Sequence, residues 1–222
     1  MSRSSKLTIA LAAAAVMLVT GALGAFADFP AAPKDTAAMM KGTQTAVLAG
    51  GCFWGMEGVF ERLKGVVDVT AGYSGGAKET AFYEMVGSGS TGHAESVQIH
   101  FDPTKISYGT ILKVFFSVAH DPTQLNYQGP DHGTQYRSVI FYANDGQKQV
   151  AEAFIKALDA ARVYPQKIVT QVVPLKAFYP AEDYHQKFMD KNPNYPYIVY
   201  WDKPKVARLE MMYPSLITKV RP

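Results

Sequence analysis

The apolar positions of this chain change period several times, and each change marks an element. Ala46-Val47-Leu48-Ala49 is a short unbroken apolar run that stops at Gly50-Gly51, as expected of a buried strand. From Cys52 to Lys64 the period becomes helical. Met56, Val59, Phe60 and Leu63 fall at i, i+3, i+4 and i+7, and Gly65 closes the segment. Val66 to Ala71 reads as strand again, followed by a loop from Gly72 to Gly92. Glu95 to Asp102 alternates, with Val97, Ile99 and Phe101 on one side and Ser96, Gln98 and His100 on the other. Ser107 then caps a helix whose apolar face is Tyr108, Ile111, Leu112, Phe115 and Phe116. After a polar loop from His120 to Gly133, Ser138 to Tyr142 is almost wholly apolar and predicts a strand inside a sheet. Asn144 or Asp145 caps a further helix with Val150, Phe154, Leu158 and Ala161 on its buried face, and Ile168 to Val173 forms another strand. The tail is rich in Tyr and Pro, with room for a short helix near Glu182 to Lys191.

Two adjacent strands in the middle break a strict strand–helix alternation. That predicts an α+β fold, a two-layer α/β sandwich with a mixed sheet and packed helices, over a doubly wound parallel sheet. A single domain over residues 43–222 accounts for the pattern, and no repeat interrupts it. The chain has 222 residues, of which 48% are hydrophobic, enough for one sizeable core. The formal charge of +3 comes without any basic run, which argues against a nucleic-acid partner.

Residues 1–27 have the layout of a secretory signal peptide. Arg3 and Lys6 make a basic start, Leu7 to Thr20 is charge-free, and Ala25-Phe26-Ala27 offers a small-x-small cleavage site. The alternative is an uncleaved membrane anchor, for which the charge-free run is short. Export points to the bacterial periplasm, and residues 28–42 read as a flexible leader.

Export changes the meaning of the single cysteine, Cys52. An internal disulfide is impossible, so the thiol is either buried and inert or kept for its reactivity. It falls where a strand meets a helix N-terminus, whose free N–H groups and partial positive charge favour a thiolate and predict a lowered thiol pKa. Phe53 and Trp54 follow it and could wall a small apolar pocket; on a helical wheel Trp54 lies nearer Glu57 and Glu61 than the apolar stripe. Possible helpers lie at two strand starts and in one loop. "TGHAES" brings His93 and Glu95, "GPDHGTQYRS" brings Asp131, His132 and Tyr136, and Tyr83 lies before Gly92. A carboxyl in an apolar pocket can act as an acid near neutral pH. Equally, Glu95 and Asp131 could be surface or capping carboxylates and Tyr136 core. His93 or His132 could serve a Cys-dependent hydrolase or acyl transferase as base. With one cysteine and five histidines lacking a close pair, no metal site is expected.

"GGCFWGMEGVF", "GYSGG", "GHAESVQIHFDP", "HDPTQLNYQGPDHGTQYRSVIF" and "FYPAEDYHQKF" together closely resemble the A-type peptide methionine sulfoxide reductases, in order from about Ala46 to Tyr200. The resemblance implies a ferredoxin-like α/β sandwich and reduction of the S epimer of methionine sulfoxide, free or in proteins, as repair after oxidative stress. It implies Cys52 as nucleophile on the sulfoxide sulfur, Glu95 as the acid on its oxygen, and Tyr83 and Tyr136 as phenols bonding that oxygen. It implies Phe53 and Trp54 as the pocket for the methyl group and Asp131 as a carboxylate holding the substrate site. No metal or prosthetic cofactor is implied. Many relatives carry resolving cysteines, and Gly87 stands where some have an additional one; this chain has none. A Cys52 sulfenic acid therefore implies an external thiol, glutathione or a thioredoxin-like protein. A non-catalytic module binding Met sulfoxide through Phe53 and Trp54 is the other alternative, and nothing in the sequence points beyond a monomer.

Overall fold

The computed structural model describes residues 29–33, 35 and 42–218; the expected signal segment, residues 1–27, lies outside them. The chain divides into two compact units, Met1–Pro30 and Ala31–Pro222. Of the first, only Phe29 and Pro30 are described, both outside any helix or strand.

The elements of the second unit run in the order β1 (Gln44–Ala49), α1 (Phe53–Phe60), β2 (Val66–Ser74), α2 (Tyr83–Val86), β3 (Ala94–Phe101), α3 (Tyr108–Val114), β4 (Tyr127–Gln128), β5 (Asp131–His132), β6 (Val139–Tyr142), α4 (Asp145–Ala160), β7 (Gln171–Pro174), β8 (Phe178–Pro180), α5 (Phe188–Lys191) and α6 (Lys203–Met212). Six strands form one sheet in the order β7-β6-β1-β3-β2-β8. The inner four, β6-β1-β3-β2, pair antiparallel throughout. With α1 joining β1 to β2 and α3 between β3 and β6, they make the split βαββαβ unit of a ferredoxin-like fold. β7 adds in parallel to β6 and β8 antiparallel to β2, so the sheet is mixed, as the sequence predicts.

The register sorts side chains between the two faces. Leu48 opposes Val97 on one neighbour and Ile140 on the other, and all three are fully buried. Val47, next along, pairs with Phe141 and joins Ala49, Ala94 and Val139 in an apolar cluster covered by Val173, Leu175 and Phe178. Both faces of β1 are thus dry, which is why it reads as an unbroken apolar run. The same register places the functional end of the sheet. β3 and β6 run opposite to β1, so the starts of β3 and β6 flank the end of β1, where Cys52 follows.

Several boundaries differ from the sequence pattern for local reasons. Helix α1 stops at Phe60, although Leu63 remains buried in the turn beyond it. Apart from the partly exposed Trp54 it is buried on every side, Glu57 included, because the C-terminal segment covers the side facing away from the sheet. Asn144 caps α4 by accepting from the Gln147 N–H at 3.0 Å; Ala161 lies past the last turn and is exposed. β2 runs on to Ser74, and the expected loop to Gly92 holds a 3-10 turn and α2. Helix α6 was hidden by the Tyr- and Pro-rich composition, although Pro204 in its first turn and Val206 and Leu209 on its buried side carry a helical signal. In the leader, Asp35 accepts from the Ser107 hydroxyl and from the Gly109 N–H, at the start of α3.

Leu48→Ala is expected to lower stability by about 2–5 kcal/mol, because the strand around it cannot collapse into the void. Asn144→Ala, which removes only a helix cap, is expected to cost about 1 kcal/mol. Denaturant midpoints at unchanged slope measure both.

Candidate active site

Gly51 turns the chain at the end of β1 with φ +90, and Gln128 packs so closely that a Cβ there would lie 2.7 Å from its own Cβ. The next residue, Cys52, is the N-cap of α1, at the predicted strand–helix junction. Glu95, at the start of β3, has the same face as Val97 and Ile99 and so points toward α1. Its Oε2 accepts from the Phe53 N–H at 3.1 Å, an otherwise unpaired donor of the helix's first turn.

Burial dominates the electrostatics of this corner. It lifts the Glu95 carboxyl to about 8; the Phe53 bond opposes that, while Asp131 and Asp202 add to it. Glu95 is therefore a neutral acid at neutral pH. Burial also pushes the Cys52 thiol well above its usual value, with Glu95 and Asp202 adding to the rise and Lys205 and the Trp54 backbone N–H working against it. The lowered thiol pKa expected from helix position is thus overturned: the N–H bond is present but weaker than desolvation and two nearby carboxyls. Both groups rest protonated.

Two phenols face the same point. Tyr83 stands at the start of α2, and Tyr136 ends the 3-10 turn before β6. Burial raises both, and both also feel Glu95, Cys52 and Asp131, so each keeps its O–H as a donor. Asp131, in the β4–β5 hairpin, accepts through Oδ2 from the Tyr197 hydroxyl. Cys52, Glu95, Tyr83, Tyr136 and Asp131 thus lie near enough to one another to shift each other's protonation.

The two aromatics divide their roles. Phe53 is almost fully buried, with its ring 5.8 Å from Tyr73 and 4.9 Å from His185, and forms the floor. Trp54 is partly exposed and stands as a wall. It stacks on Phe188 at 3.8 Å, meets Tyr195 and Tyr197 edge-on, and donates its indole N–H to His185 Nδ1 at 3.0 Å.

The C-terminal segment supplies what sequence reasoning missed: Tyr197, His185, Asp202 and Lys205. Asp202 is fully buried and pairs with Lys205 at 3.1 Å. Both press on Gly55, where a Cβ would lie 2.7 Å from the Asp202 carboxyl carbon and 2.8 Å from Lys205 Nζ. The last glycine of GCFWG is thus the space this ion pair occupies.

The histidines that could have served a hydrolase do not reach the thiol. His93 bonds the Gly76 N–H and the Ala77 carbonyl through its two ring nitrogens, which commits it to holding the loop after β2. His132 is exposed and stacks on Tyr127 at 5.4 Å. A surface cavity of about 890 Å³ is bordered by Arg62, Lys64, Asp102 and Lys105 but not by Cys52. Among the described residues no group of three His, Cys, Asp or Glu could hold a metal ion.

A ferredoxin-like sheet that presents one buried thiol, one neutral carboxyl and two phenols beside an aromatic wall defines a thiol-centred site for a small polar group. The profile of the family described as peptide methionine sulfoxide reductase matches residues 44–215. Peptide methionine sulfoxide reductase MsrA 2 of Mesorhizobium japonicum is 60% identical over 178 residues, covering 80% of this chain and 91% of the relative. MsrA 2 of Synechocystis is 52% identical over 181 residues, covering 82% and 84%. The reduced form of Mxr1 from Saccharomyces cerevisiae superposes with a TM-score of 0.62 at 36% identity, covering 69% of this chain and 87% of that one. Methionine sulfoxide reductase A of Corynebacterium diphtheriae gives 0.58 at 35% identity, covering 74% and 82%. The chain belongs to the peptide methionine sulfoxide reductase family.

Gly55→Ala is expected to displace the Asp202–Lys205 pair. Overpacking of this kind lowers stability by about 1–3 kcal/mol. It should also change the rate of Cys52 alkylation by iodoacetamide, whereas Gly87→Ala, a residue not bonded to the thiol, should leave that rate unaltered.

Proposed function

We propose that this chain reduces the S epimer of methionine sulfoxide, free or in proteins, through Cys52, and so repairs oxidised methionine. The observation that carries this reading is the neutral Glu95 carboxyl bonded to the residue beside the thiol. A sulfoxide oxygen leaves only if it is protonated as the S–O bond breaks. Glu95 supplies that proton, and Tyr83 and Tyr136 donate hydrogen bonds as charge grows on the oxygen. Asp131, fixed by Tyr197, borders the same recess, and Phe53 and Trp54 take the sulfoxide methyl on an apolar surface.

The step balances. Cys52 sulfur attacks the sulfoxide sulfur, the oxygen is transferred to Cys52, and methionine leaves; the thiol becomes a sulfenic acid and the substrate loses one oxygen. The proton lost by the thiol restores Glu95. Two equivalents of an external thiol then return Cys52 to the thiol, giving one disulfide and one water. Because Cys52 is the only cysteine in the sequence, that thiol comes from outside the chain, either glutathione or a thioredoxin-like protein. The raised resting pKa of Cys52 protects a lone thiol, since little thiolate exists before substrate arrives. The signal-like N-terminus supports action in the periplasm.

Cys52→Ser is expected to abolish turnover of racemic methionine sulfoxide with dithiothreitol, while the wild type consumes only the S half. Glu95→Gln, which keeps the shape and removes the proton, should slow the reductive step by about a hundredfold. The sign of the pH dependence follows from the acid form being active: the reductive rate should fall as pH rises through about 8, and Glu95→Gln should lack that limb. Mass spectrometry after one turnover without reductant, with dimedone as trap, should find one adduct on Cys52. A thioester, or an unmodified thiol after methionine release, would sink the reading.

A further inference from the structure

Large aromatic side chains stay exposed next to the recess, and the chemistry above uses none of them. Phe82 is 42% exposed, Trp201 46%, Tyr195 49% and Tyr184 55%. Each is tied to a residue that borders the recess. Trp201 lies against the hairpin that carries Asp131: a Cβ on Gly129 would be 3.5 Å from its Cε3 atom. Tyr195 meets the Trp54 ring edge-on at 6.1 Å. Tyr184 packs at 4.2 Å on His185, which in turn lies 4.6 Å from Tyr83. Phe82 is the N-cap of α2, one residue before Tyr83. Exposed apolar surface that continues into a recess marks a place where something binds; single apolar residues scattered elsewhere do not.

The depth of the thiol decides what covers these rings. Cys52 is only 7% exposed, so the group that reaches it must be long and thin. Methionine sets two methylenes between its backbone and its sulfur. With the sulfoxide sulfur at Cys52, the substrate backbone therefore lies at the mouth of the recess, among the exposed rings. In free methionine sulfoxide that backbone carries an ammonium and a carboxylate, which lose hydration against apolar surface. In a polypeptide the same atoms are neutral amides, and the neighbouring side chains meet the rings. A partner's cysteine has a single methylene before its sulfur and reaches less far, so this surface suits the substrate better than a reducing protein. We propose that Phe82, Tyr184, Tyr195 and Trp201 form a docking rim for the residues on either side of an oxidised methionine, which makes a polypeptide with apolar neighbours the preferred substrate and the free amino acid a poor one. Rings of this kind give a large contact area at little cost in side-chain order, and the polar ends of Tyr and Trp can stay in water.

The proposal rests on the reading of Cys52 as a sulfoxide-reducing thiol and deepens it; the test separates the two. Three blocked substrates are compared with dithiothreitol as reductant: N-acetyl methionine sulfoxide amide, and tripeptides with Met sulfoxide between two leucines or between two serines. The leucine peptide should show a KM about tenfold below that of the serine peptide, with little change in kcat, as expected when flanking contacts add binding but no chemistry. Trp201→Ser and Tyr184→Ser should each remove most of that preference and leave the KM of the blocked amino acid unaltered. Val67→Ser alters an equally exposed apolar residue at the far end of the sheet, since β2 begins opposite Phe101 and β1 begins there too; it should change none of these values. Equal KM values for the two tripeptides in the wild type, or a preference that survives both rim variants, overturns the rim and leaves the reductase reading standing. Loss of turnover with reduced thioredoxin at saturating peptide, without loss of the leucine preference, assigns the rings to the reducing partner and also overturns it. A dimer in sedimentation that either rim variant dissolves assigns them to a second copy, with the same result. If no substrate is reduced, the reductase reading falls and the rim falls with it.

Discussion

The bond between the Phe53 N–H and Glu95 holds the site together, because it joins the nucleophile's helix to the sheet at the point where both acids are buried. Neither acid could sit there ionised without large desolvation cost. The structure keeps both neutral and uses position, not charge, to prepare them. A helix N-terminus alone would hold a standing thiolate. Here burial and the neighbouring carboxyls prevent that, and substrate must enter before charge develops. For a chain with one cysteine and no partner thiol, a resting thiol is the safer state.

The second constraint is that α1 is enclosed on both sides. The sheet covers one side, and His185, Lys187, Met189, Asp202 and Lys205 meet Trp54, Glu57, Gly58 and Gly55 on the other. This explains features that look wrong on a helical wheel. Glu57 is buried, its carboxyl lifted to about 8 by burial, with one oxygen accepting from the Lys187 N–H at 2.7 Å and the other without a partner. Gly55 yields its space to Asp202 and Lys205. Trp54 is caught between His185 and Phe188. The C-terminal segment is therefore half of the active site, although it supplies neither the nucleophile nor the acid.

The division of labour between β-strands and turns follows from antiparallel pairing. The end of β1 and the starts of β3 and β6 meet at one edge, so Cys52, Glu95 and the Asp131–Tyr136 stretch converge although they are scattered along the chain. The turn at Glu182 then fixes Tyr83 through its backbone N–H. A register slip of one residue in β3 would turn Glu95 to the opposite face and leave the thiol without an acid.

The strand of Ala46 to Ala49, the stripe Met56/Val59/Phe60/Leu63, the alternation Val97/Ile99/Phe101 and the apolar run before Tyr142 are local patterns, and from them the sequence determined the α+β class and the place of Cys52 between a strand and a helix. The motif residues Cys52, Phe53, Trp54, Tyr83, Glu95, Asp131 and Tyr136 could be named as candidates on the same footing. Tertiary structure alone decided the protonation of Cys52 and Glu95, the burial of Glu57, and the work of His185, Tyr197, Asp202 and Lys205. Periodicity reports which residues share a face of one element. The depth of a side chain, the charges around it and the partner of its last free atom depend on segments more than a hundred residues away, and those meet only when the chain has folded.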